Sequence, residues 1–370
     1  MRRSPLFSTF QALGATFTTV ADWEVPLHFG DPQVEYWAVR QQAGLADLSH
    51  RGLVRVTGSD RQRFLHAMVT NDIAGLRPGE GCYAAFLTNK GKMIADFVVY
   101  ATPEAYLLDL EPQLVEPFCQ AIEAFVIADD VVFEDVSAQW GLLSLQGPQA
   151  AACLEQAAGA ALPALPPYGH ELWHLGSHTV RLIRRSHTGE EGYQLLLPMA
   201  TLGEVWEALW AHRQVCGLRP VGLHALEVLR IEAGLPLAGR ELTPDTLPLE
   251  ANLLAAISFT KGCYVGQEVI ARVTSRGHVN RQLVGLLLAR GPLPPSGAKV
   301  VSPQREVGWV TSAAYSPALQ QPVALAYVRR EVSAPGQPLA VVVDGESVPA
   351  TVAELPLYRG TRQEHPLEKR

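Results

Sequence analysis

The sequence lacks any long hydrophobic run and contains few cysteines. No uninterrupted apolar stretch among its 370 residues approaches the roughly 18 residues that a membrane-spanning helix needs. The five cysteines are an odd number at wide spacings, without a Cys-x-x-Cys pair. This pattern argues against a disulfide framework or a zinc ribbon and favours a reducing compartment. We therefore expect a cytoplasmic protein that has no membrane span.

The chain also lacks an excess of positive charge. It has 30 Lys and Arg against 37 Asp and Glu, a formal net charge of −7, which argues against binding nucleic acid through a general basic field. Hydrophobic residues make up 48% and charged residues 18% of the chain, as in an ordinary globular interior. At about 150 residues per domain, the length predicts two or three domains.

The first 21 residues have some features of a targeting peptide. They contain Arg2 and Arg3 and no acidic residue before Asp22. However, Gln11 and scattered hydroxyl residues interrupt any apolar segment, and no small-residue cleavage site stands out. We expect this segment to stay in the protein.

The hydrophobic pattern predicts a mixture of helices and strands. Helical spacing of apolar residues occurs in four segments, near residues 59–68, 114–125, 202–210 and 223–231, the last ending at Gly234. Between them lie β-like runs at residues 95–100, 106–108, 141–145, 180–183 and 194–197. This mixture predicts an α+β fold over the first three-quarters of the chain.

The pattern changes at the turn-forming segment 291–297 (GPLPPSG). Short strands without helical spacing follow it, at residues 300–301, 307–310, 323–328, 339–343 and 348–352. Evenly spaced strands with Gly and Pro turns are typical of a small β-barrel or sandwich. We place an α+β region at residues 1–280, a β-barrel domain at 281–360 and a frayed tail at 361–370.

The most unusual segment is residues 261–268 (KGCYVGQE), in which two glycines bracket Cys263 and Tyr264. A nearby cation such as Lys261 lowers the pKa of a thiol if the two charges meet, because it favours the thiolate. Cys263 is therefore a candidate reactive or metal-liganding thiolate. The alternative is a buried structural cysteine, which is the commoner fate of a free cysteine.

Residues 186–193 (SHTGEEGY) lie between two predicted strands. A carboxylate on a glycine-flanked turn, such as Glu190, can accept two parallel N–H bonds from the edge of a pterin ring. Tyr193 can supply a flat face or a hydroxyl group. The alternative is a polar hairpin tip without a ligand.

Two further charged residues stand in apolar surroundings. Asp96 lies near the start of a strong β run, where it either positions an amine or a proton or simply ends the strand. Arg230 lies at the end of an apolar helix, and a buried arginine needs a carboxylate partner. That partner is either the anionic tail of a ligand or an internal residue, Glu227 or Glu232.

Other motifs are weak or missing. His170, His174 and His178 recur every four residues, but Gly169, Gly176 and the β-branched residues that follow argue against a metal-binding helix. We find no P-loop, dinucleotide-binding fingerprint or serine-elbow motif.

Together, these segments resemble the aminomethyltransferase (T-protein) superfamily of the glycine cleavage system. The resemblance spans nearly the whole chain, through residues 13–15, 23–26, 44–50, 70–72, 145–148, 188–193, 229–234, 308–312 and 315–317. It implies two α+β lobes and a C-terminal β-barrel in a clover-like, three-lobed arrangement around a folate-binding channel. It also implies tetrahydrofolate or another reduced folate as cofactor.

Within that superfamily, residues 261–268 are similar to the signature of YgfZ-type folate-binding proteins, which support assembly or repair of iron–sulfur enzymes. This resemblance implies that Glu190 and Tyr193 hold the pterin, that Arg230 and Asp96 lie near the folate, and that Cys263, with Lys261, is the functional thiol. The partners would be folate and iron–sulfur client or assembly proteins, and the protein would not be a conventional enzyme.

The alternative is a folate-dependent aminomethyltransferase that uses Asp96. The transferases carry paired aspartates where this chain has Ala95 and Asp96, and a Val-Val-Asn strand end where this chain has residues 107–109 (LLD). Both departures put aminomethyl transfer in question. A third hypothesis is a folate-binding module without chemistry of its own.

Overall fold

The computed structural model describes residues 1–289, 291–303 and 305–360. The tail predicted at residues 361–370 lies outside the described residues. The strands are β1 (Arg2–Arg3), β2 (Ala15–Val20), β3 (Trp23–Phe29), β4 (Ala43–Asp47), β5 (Gly52–Thr57), β6 (Gly81–Leu87), β7 (Met93–Ala101), β8 (Tyr106–Leu110), β9 (Val132–Asp135), β10 (Trp140–Gln146), β11 (His170–Leu175), β12 (His178–Arg184), β13 (Gly192–Pro198), β14 (Leu218–Pro220), β15 (Arg281–Leu288), β16 (Lys299–Ser302), β17 (Arg305–Ser316), β18 (Gln321–Arg329), β19 (Pro338–Val343) and β20 (Glu346–Ala353).

The α-helices lie mostly between the strands of the first two-thirds of the chain. They are α1 (Phe7–Ala12), α2 (Pro32–Gln41), α3 (Arg61–Met68), α4 (Val115–Glu123), α5 (Ala150–Ala158), α6 (Leu202–Trp210), α7 (Arg213–Cys216), α8 (Leu223–Glu232) and α9 (Gln267–Arg276). The four helices predicted from apolar spacing correspond to α3, α4, α6 and α8.

The strands form three open sheets and one closed barrel. A five-stranded sheet has the order β6-β7-β8-β5-β9, and a six-stranded sheet has the order β11-β12-β13-β10-β4-β14. A three-stranded sheet, β1-β3-β2, contains the N-terminal segment. The barrel closes in the order β15-β18-β17-β16-β19-β20. The predicted α+β fold with a C-terminal β-barrel is confirmed.

The helix α2 is clear in the structure but was not predicted from the sequence. Asp31 precedes it and accepts a hydrogen bond from the backbone N–H of Gln33 at 2.9 Å, while Pro32 occupies the first helical position. The helix buries Glu35 and Arg40 together with its apolar residues. These two buried charges interrupt the apolar stripe that a sequence-based prediction depends on.

The segment 291–297 connects β15 and β16 and so belongs to the barrel domain, because β15 is itself a barrel strand. Arg281–Leu288 pairs with both β18 and β20 and so closes the barrel. The change in sequence pattern at residues 291–297 therefore comes after β15, the first strand of the barrel, and not before it.

Four apolar clusters hold these layers together. One fills each open lobe, one fills the barrel, and the fourth lies between the lobes, where residues of α2, α8 and the barrel strands meet. Among the described residues, no helix has the length and apolar character needed to cross a bilayer.

Candidate functional site

A cavity of about 620 Å³ lies where the two α+β lobes, the N-terminal sheet and α8 meet. Its apolar lining includes Val20, Leu27, Leu48, Val98, Leu223, Leu226, Leu235 and Leu237. Its polar lining includes His50, Arg51, Tyr83, Asp96, Glu111, Arg185, His187, His224, Glu227, Arg230 and Arg240. Apolar walls with a few converging polar groups are typical of a small-molecule site.

Asp96 is brought into this cavity by strand pairing. β6 and β7 are antiparallel, and Ala85 faces Asp96 across the ladder, so Tyr83 is the diagonal neighbour of Asp96 on the same face. The Tyr83 hydroxyl donates a hydrogen bond to Oδ2 of Asp96 at 2.8 Å. Among the described residues, the buried Oδ1 atom has no hydrogen-bond partner. Burial raises the pKa of Asp96 to about 6.

The neighbouring residue, Ala95, faces the opposite side of β7. Ala95 is 1% exposed and belongs to the core of the five-stranded lobe, whereas Asp96 lines the cavity. Successive side chains of a strand point to opposite faces of the sheet. Of the two positions where the transferases carry aspartates, this chain therefore keeps the acid at the one that faces the cavity, Asp96.

A buried ion-pair network supports the polar end of the cavity. Nε of Arg51 lies 2.6 Å from Oδ1 of Asp109, and Arg51 also pairs with Glu111. Arg185 pairs with the other oxygen of Asp109. Asp109 is the residue that departs from the Val-Val-Asn pattern, and its charge is balanced here by two arginines. Sequence analysis identified neither Arg51 nor Arg185 as a partner of Asp109, because they lie 58 and 76 positions away in the chain.

Two histidines beside this network are neutral at physiological pH. Burial lowers the pKa of His50 to about 4 and also lowers the pKa of His187 well below its usual value, with Arg185 adding to the effect. Residues 186–187 are the part of the predicted 186–193 segment that lines the cavity. His50 follows β4 in a loop. It ends the segment 44–50 that carries part of the family resemblance, but it was not among the candidate site residues.

Arg230 lines the cavity but its guanidinium is taken up by protein groups. It contacts Glu227 at 2.5 and 2.8 Å and Glu241 at 2.9 Å, and it donates to the Ser312 hydroxyl at 2.6 Å. Of the internal partners considered, Glu227 is the one observed. Glu232 pairs with a different arginine, Arg40.

Glu190 lies outside the cavity lining and is buried. Its Oε1 atom is 2.6 Å from Nη1 of Arg40. The backbone of Gly360 packs against the same carboxylate so closely that a β-carbon at residue 360 would lie 2.0 Å from Oε1. In this structure the carboxylate serves an internal ion pair, and its assignment to a pterin stays a prediction.

Tyr193 also lies away from the cavity lining. It is 9% exposed and packs into the core of the six-stranded lobe with Leu145 on the adjacent strand β10. The predicted contact of Tyr193 with a pterin therefore also stays a prediction.

The segment 261–266 lies at the surface of the five-stranded lobe. Cys263 is exposed, whereas the Lys261 ammonium is directed to the end of α3, where it donates to the carbonyl groups of His66, Val69 and Asn71. The Val69 and Asn71 contacts measure 2.6 and 3.1 Å. Burial lowers the pKa of Lys261 to about 8. The Lys261 ammonium thus contacts backbone carbonyls, and its effect on the Cys263 thiol stays a prediction.

The three regularly spaced histidines do not share a helix face. His170 and His174 lie on β11 and His178 lies on β12. Within residues 1–289, 291–303 and 305–360, no cluster of three or more His, Cys, Asp or Glu side chains has the geometry of a metal site.

Comparisons with known proteins agree with this architecture. The profile of the GCVT N-terminal domain matches residues 6–261, and that of the glycine cleavage T-protein C-terminal barrel domain matches residues 281–359. This chain belongs to the glycine cleavage T-protein family. It is 34% identical to the aminomethyltransferase of Shouchella clausii (strain KSM-K16), a match that covers 97% of this chain and 98% of that protein.

Other members of the family are similarly close. The aminomethyltransferase of Synechococcus elongatus (strain ATCC 33912 / PCC 7942 / FACHB-805) is 34% identical over 97% of this chain and 96% of its own length. The crystal structure of the glycine cleavage system aminomethyltransferase T from Bartonella henselae superposes with a TM-score of 0.88 at 27% identity, covering 97% of this chain and 98% of that chain. These relatives support the wider superfamily, whereas the narrower YgfZ-type assignment has no support from them.

Proposed function

We propose that this protein is a folate-dependent aminomethyltransferase, the function held as the alternative in the sequence analysis. The observation that carries the proposal is Asp96, a half-buried carboxylate in the wall of the central cavity. Its Oδ2 atom accepts from Tyr83, and in the part of the chain that the structure describes Oδ1 has no hydrogen-bond partner, so the carboxylate has acceptor capacity left for a ligand N–H.

The cavity suits a reduced folate. Its volume of about 620 Å³ falls within the range of about 300–1,000 Å³ that is usual for sites of this kind. Tetrahydrofolate, the cofactor predicted from the sequence, is the cofactor of aminomethyltransferases, and when bound it would accept the one-carbon unit. The apolar side chains of Leu226, Leu235 and Leu237 would cover its flat, apolar surfaces.

Asp96 would act on the proton that moves during transfer. Its Oδ2 atom is held by Tyr83, which leaves Oδ1 to accept a hydrogen bond from a reacting amine. A pKa of about 6 means that the carboxylate is ionised at neutral pH and still lies close enough to neutrality to receive and return a proton. Ala95 faces the core, so an acid at that position would not reach the cavity.

The test is formation of methylene-tetrahydrofolate from an aminomethyl donor. We expect Asp96→Asn to lower turnover by about 10²–10⁴-fold while folate affinity changes less than tenfold, since the acid acts on the moving proton. Asp344→Asn makes the same chemical change in an exposed barrel turn and should leave turnover unchanged. Background turnover by the wild-type protein would overturn the proposal.

The support of iron–sulfur enzymes, the main prediction from the sequence, is the second candidate function. It rests on the exposure of Cys263, since the other four cysteines are buried or half-buried. In a host without its own copy, we expect the wild-type chain to restore iron–sulfur enzyme activity and Cys263→Ser to fail. Equal rescue by the wild type and Cys263→Ser would rule out a role of the thiol. Rescue by neither form would leave aminomethyl transfer as the one remaining candidate function. The cytoplasmic location stays a prediction.

A further inference from the structure

A chain of hydrogen bonds leads from the buried ion-pair network to His187 in the cavity wall. Nη1 of Arg185, which pairs with Asp109, lies 3.3 Å from the hydroxyl oxygen of Tyr100. That hydroxyl lies 3.5 Å from Oε1 of Gln194, and Nε2 of Gln194 lies 2.6 Å from Nε2 of His187. Tyr100 and Gln194 are buried, at 1% and 0% exposure, whereas His187 is half-buried and lines the cavity. Buried groups thus hold the imidazole from one side.

The direction of these hydrogen bonds follows from Arg185. A guanidinium can only donate, so the Tyr100 hydroxyl accepts from Arg185 and donates its own proton to Gln194. The Gln194 amide therefore presents its oxygen to Tyr100 and its NH₂ group to His187. With the amide reversed, the hydrogen bonds of the described residues would offer no acceptor for the Tyr100 hydroxyl proton. Nε2 of His187 is thus the acceptor of the last bond in the chain.

This direction determines which ring nitrogen of His187 carries the proton. The lowered pKa keeps the imidazole neutral at physiological pH, and a neutral imidazole has one N–H donor and one acceptor nitrogen. Because Nε2 accepts from Gln194, the proton lies on Nδ1. No described residue forms a hydrogen bond with Nδ1, and this atom is not among the buried atoms that lack a partner. Nδ1 is therefore an accessible N–H donor on a residue that lines the cavity.

We propose that His187 is a ligand-binding residue of the central cavity, which donates a hydrogen bond from Nδ1–H to an acceptor atom of the folate, and that Gln194 is a positioning residue that fixes this tautomer. The position of the proton depends only on hydrogen bonds within the protein. The identity of the ligand rests on the proposed function, because it assumes that the cavity holds a folate. A donor fixed before binding favours ligands that present an acceptor at this point over ligands that present a donor.

The first test is the protonation of the imidazole in the protein without ligand. Nitrogen NMR of the full chain with isotope-labelled histidine distinguishes a protonated ring nitrogen from an unprotonated one, and the signals of His187 are those that His187→Asn lacks. We expect the wild type to be protonated at Nδ1 and unprotonated at Nε2. Gln194→Leu removes the amide donor and should give a mixture of the two tautomers. A wild-type His187 that is protonated at Nε2 would overturn this inference without touching the proposed function.

The second test is the affinity for 5-formyltetrahydrofolate, measured by titration calorimetry on the full chain. We expect His187→Leu to bind about tenfold more weakly than wild type, since an acceptor atom of the ligand loses its donor. His187→Asn retains an N–H donor and should stay within about threefold of wild type. The matched control is His178→Leu, because His178 is a half-buried histidine that lies near Glu204 and does not line the cavity. It should bind the folate with wild-type affinity.

The remaining outcomes distinguish this inference from the proposed function. Unchanged folate affinity in His187→Leu would overturn the ligand contact and leave folate binding in place. Equal losses in His187→Leu and His187→Asn would also overturn it, since the shape of the ring and not its donor would then decide affinity. Equal losses in His178→Leu and His187→Leu would trace the effect to destabilisation of the fold and reject the contact. Absence of folate binding by the wild-type protein would overturn the proposed function together with the ligand contact, whereas the NMR result would still decide the tautomer.

Discussion

Within the described residues, one carboxylate oxygen of Asp96 has no hydrogen-bond partner, and burial has raised the pKa of this group towards neutrality. The ordinary value for the group is 3.8, and here it is about 6. Because the folded protein holds this proton more tightly than the unfolded chain, the free energy of unfolding falls as the pH rises from about 4 to about 6. Above that range the ionised carboxylate destabilises the fold, by up to about 3 kcal/mol. This acid therefore lowers stability in the ionised form that the proposed transfer requires.

A prediction follows for stability as a function of pH. We expect Asp96→Asn to raise the free energy of unfolding by about 1–3 kcal/mol at pH 8, where the native carboxylate is ionised, and to change it little at pH 4. Urea denaturation at the two pH values measures the effect. Asp344→Asn should show no gain at either value, and an equal gain for Asp96→Asn at both would contradict the burial of an ionised group.

At the scale of elements, the end of α3 is joined to the segment 261–266 by one side chain. A helix ends with carbonyl groups that have no partner inside the helix. Lys261 donates to the carbonyl of His66 in the last turn and to those of Val69 and Asn71 just beyond it. The cation also interacts favourably with the negative end of the helix dipole. The lysine of the KGCYVGQE segment thus has a structural role that its sequence neighbours did not indicate.

We therefore expect Lys261→Met to lower the free energy of unfolding by about 1–3 kcal/mol, since three carbonyl groups lose a charged donor. The rate of Cys263 alkylation should stay close to that of wild type, because the ammonium is bound to the carbonyls. Arg272→Met removes an exposed cation that pairs with Glu268 and should change stability by less than about 0.5 kcal/mol. A large fall in the alkylation rate of Lys261→Met would instead indicate that the Lys261 charge acts on the Cys263 thiol.

At the scale of the whole molecule, one buried arginine connects the lobes to the barrel. Arg40 on α2 pairs with Glu190, which precedes β13, and with Glu232 at the end of α8. The Glu232 carboxylate also accepts hydrogen bonds from Tyr36 at 2.8 Å and from Ser316 of β17 at 2.5 Å. Removing one partner of such a network leaves buried charges uncompensated.

The corresponding prediction is a large loss of stability in Arg40→Met, about 3–5 kcal/mol, because Glu232 would lose its buried ion pair and Glu190 would lose its contact with Arg40. Arg55→Met removes an ion pair with Glu134 in which both side chains are exposed, and it should lower the free energy of unfolding by less than about 1 kcal/mol. Chemical denaturation of both variants provides the comparison. Similar losses in the two would show that the buried network does not hold the lobes together.

The sequence by itself determined the elements whose signals are local. Regular apolar spacing identified α3, α4, α6 and α8, and short β-rich runs identified the barrel strands β16 to β20 but not β15, because these patterns need only neighbouring residues. The order of motifs along the chain also indicated the T-protein superfamily. Asp96 was recognised as a candidate because an acid at the start of an apolar strand is conspicuous in the sequence.

Only the tertiary structure decided which charges meet. Arg40 and Glu190 are 150 positions apart, and Lys261 lies 190 or more positions from the carbonyls that it binds. Pairings at such separations depend on how the lobes pack, and local sequence carries no record of them.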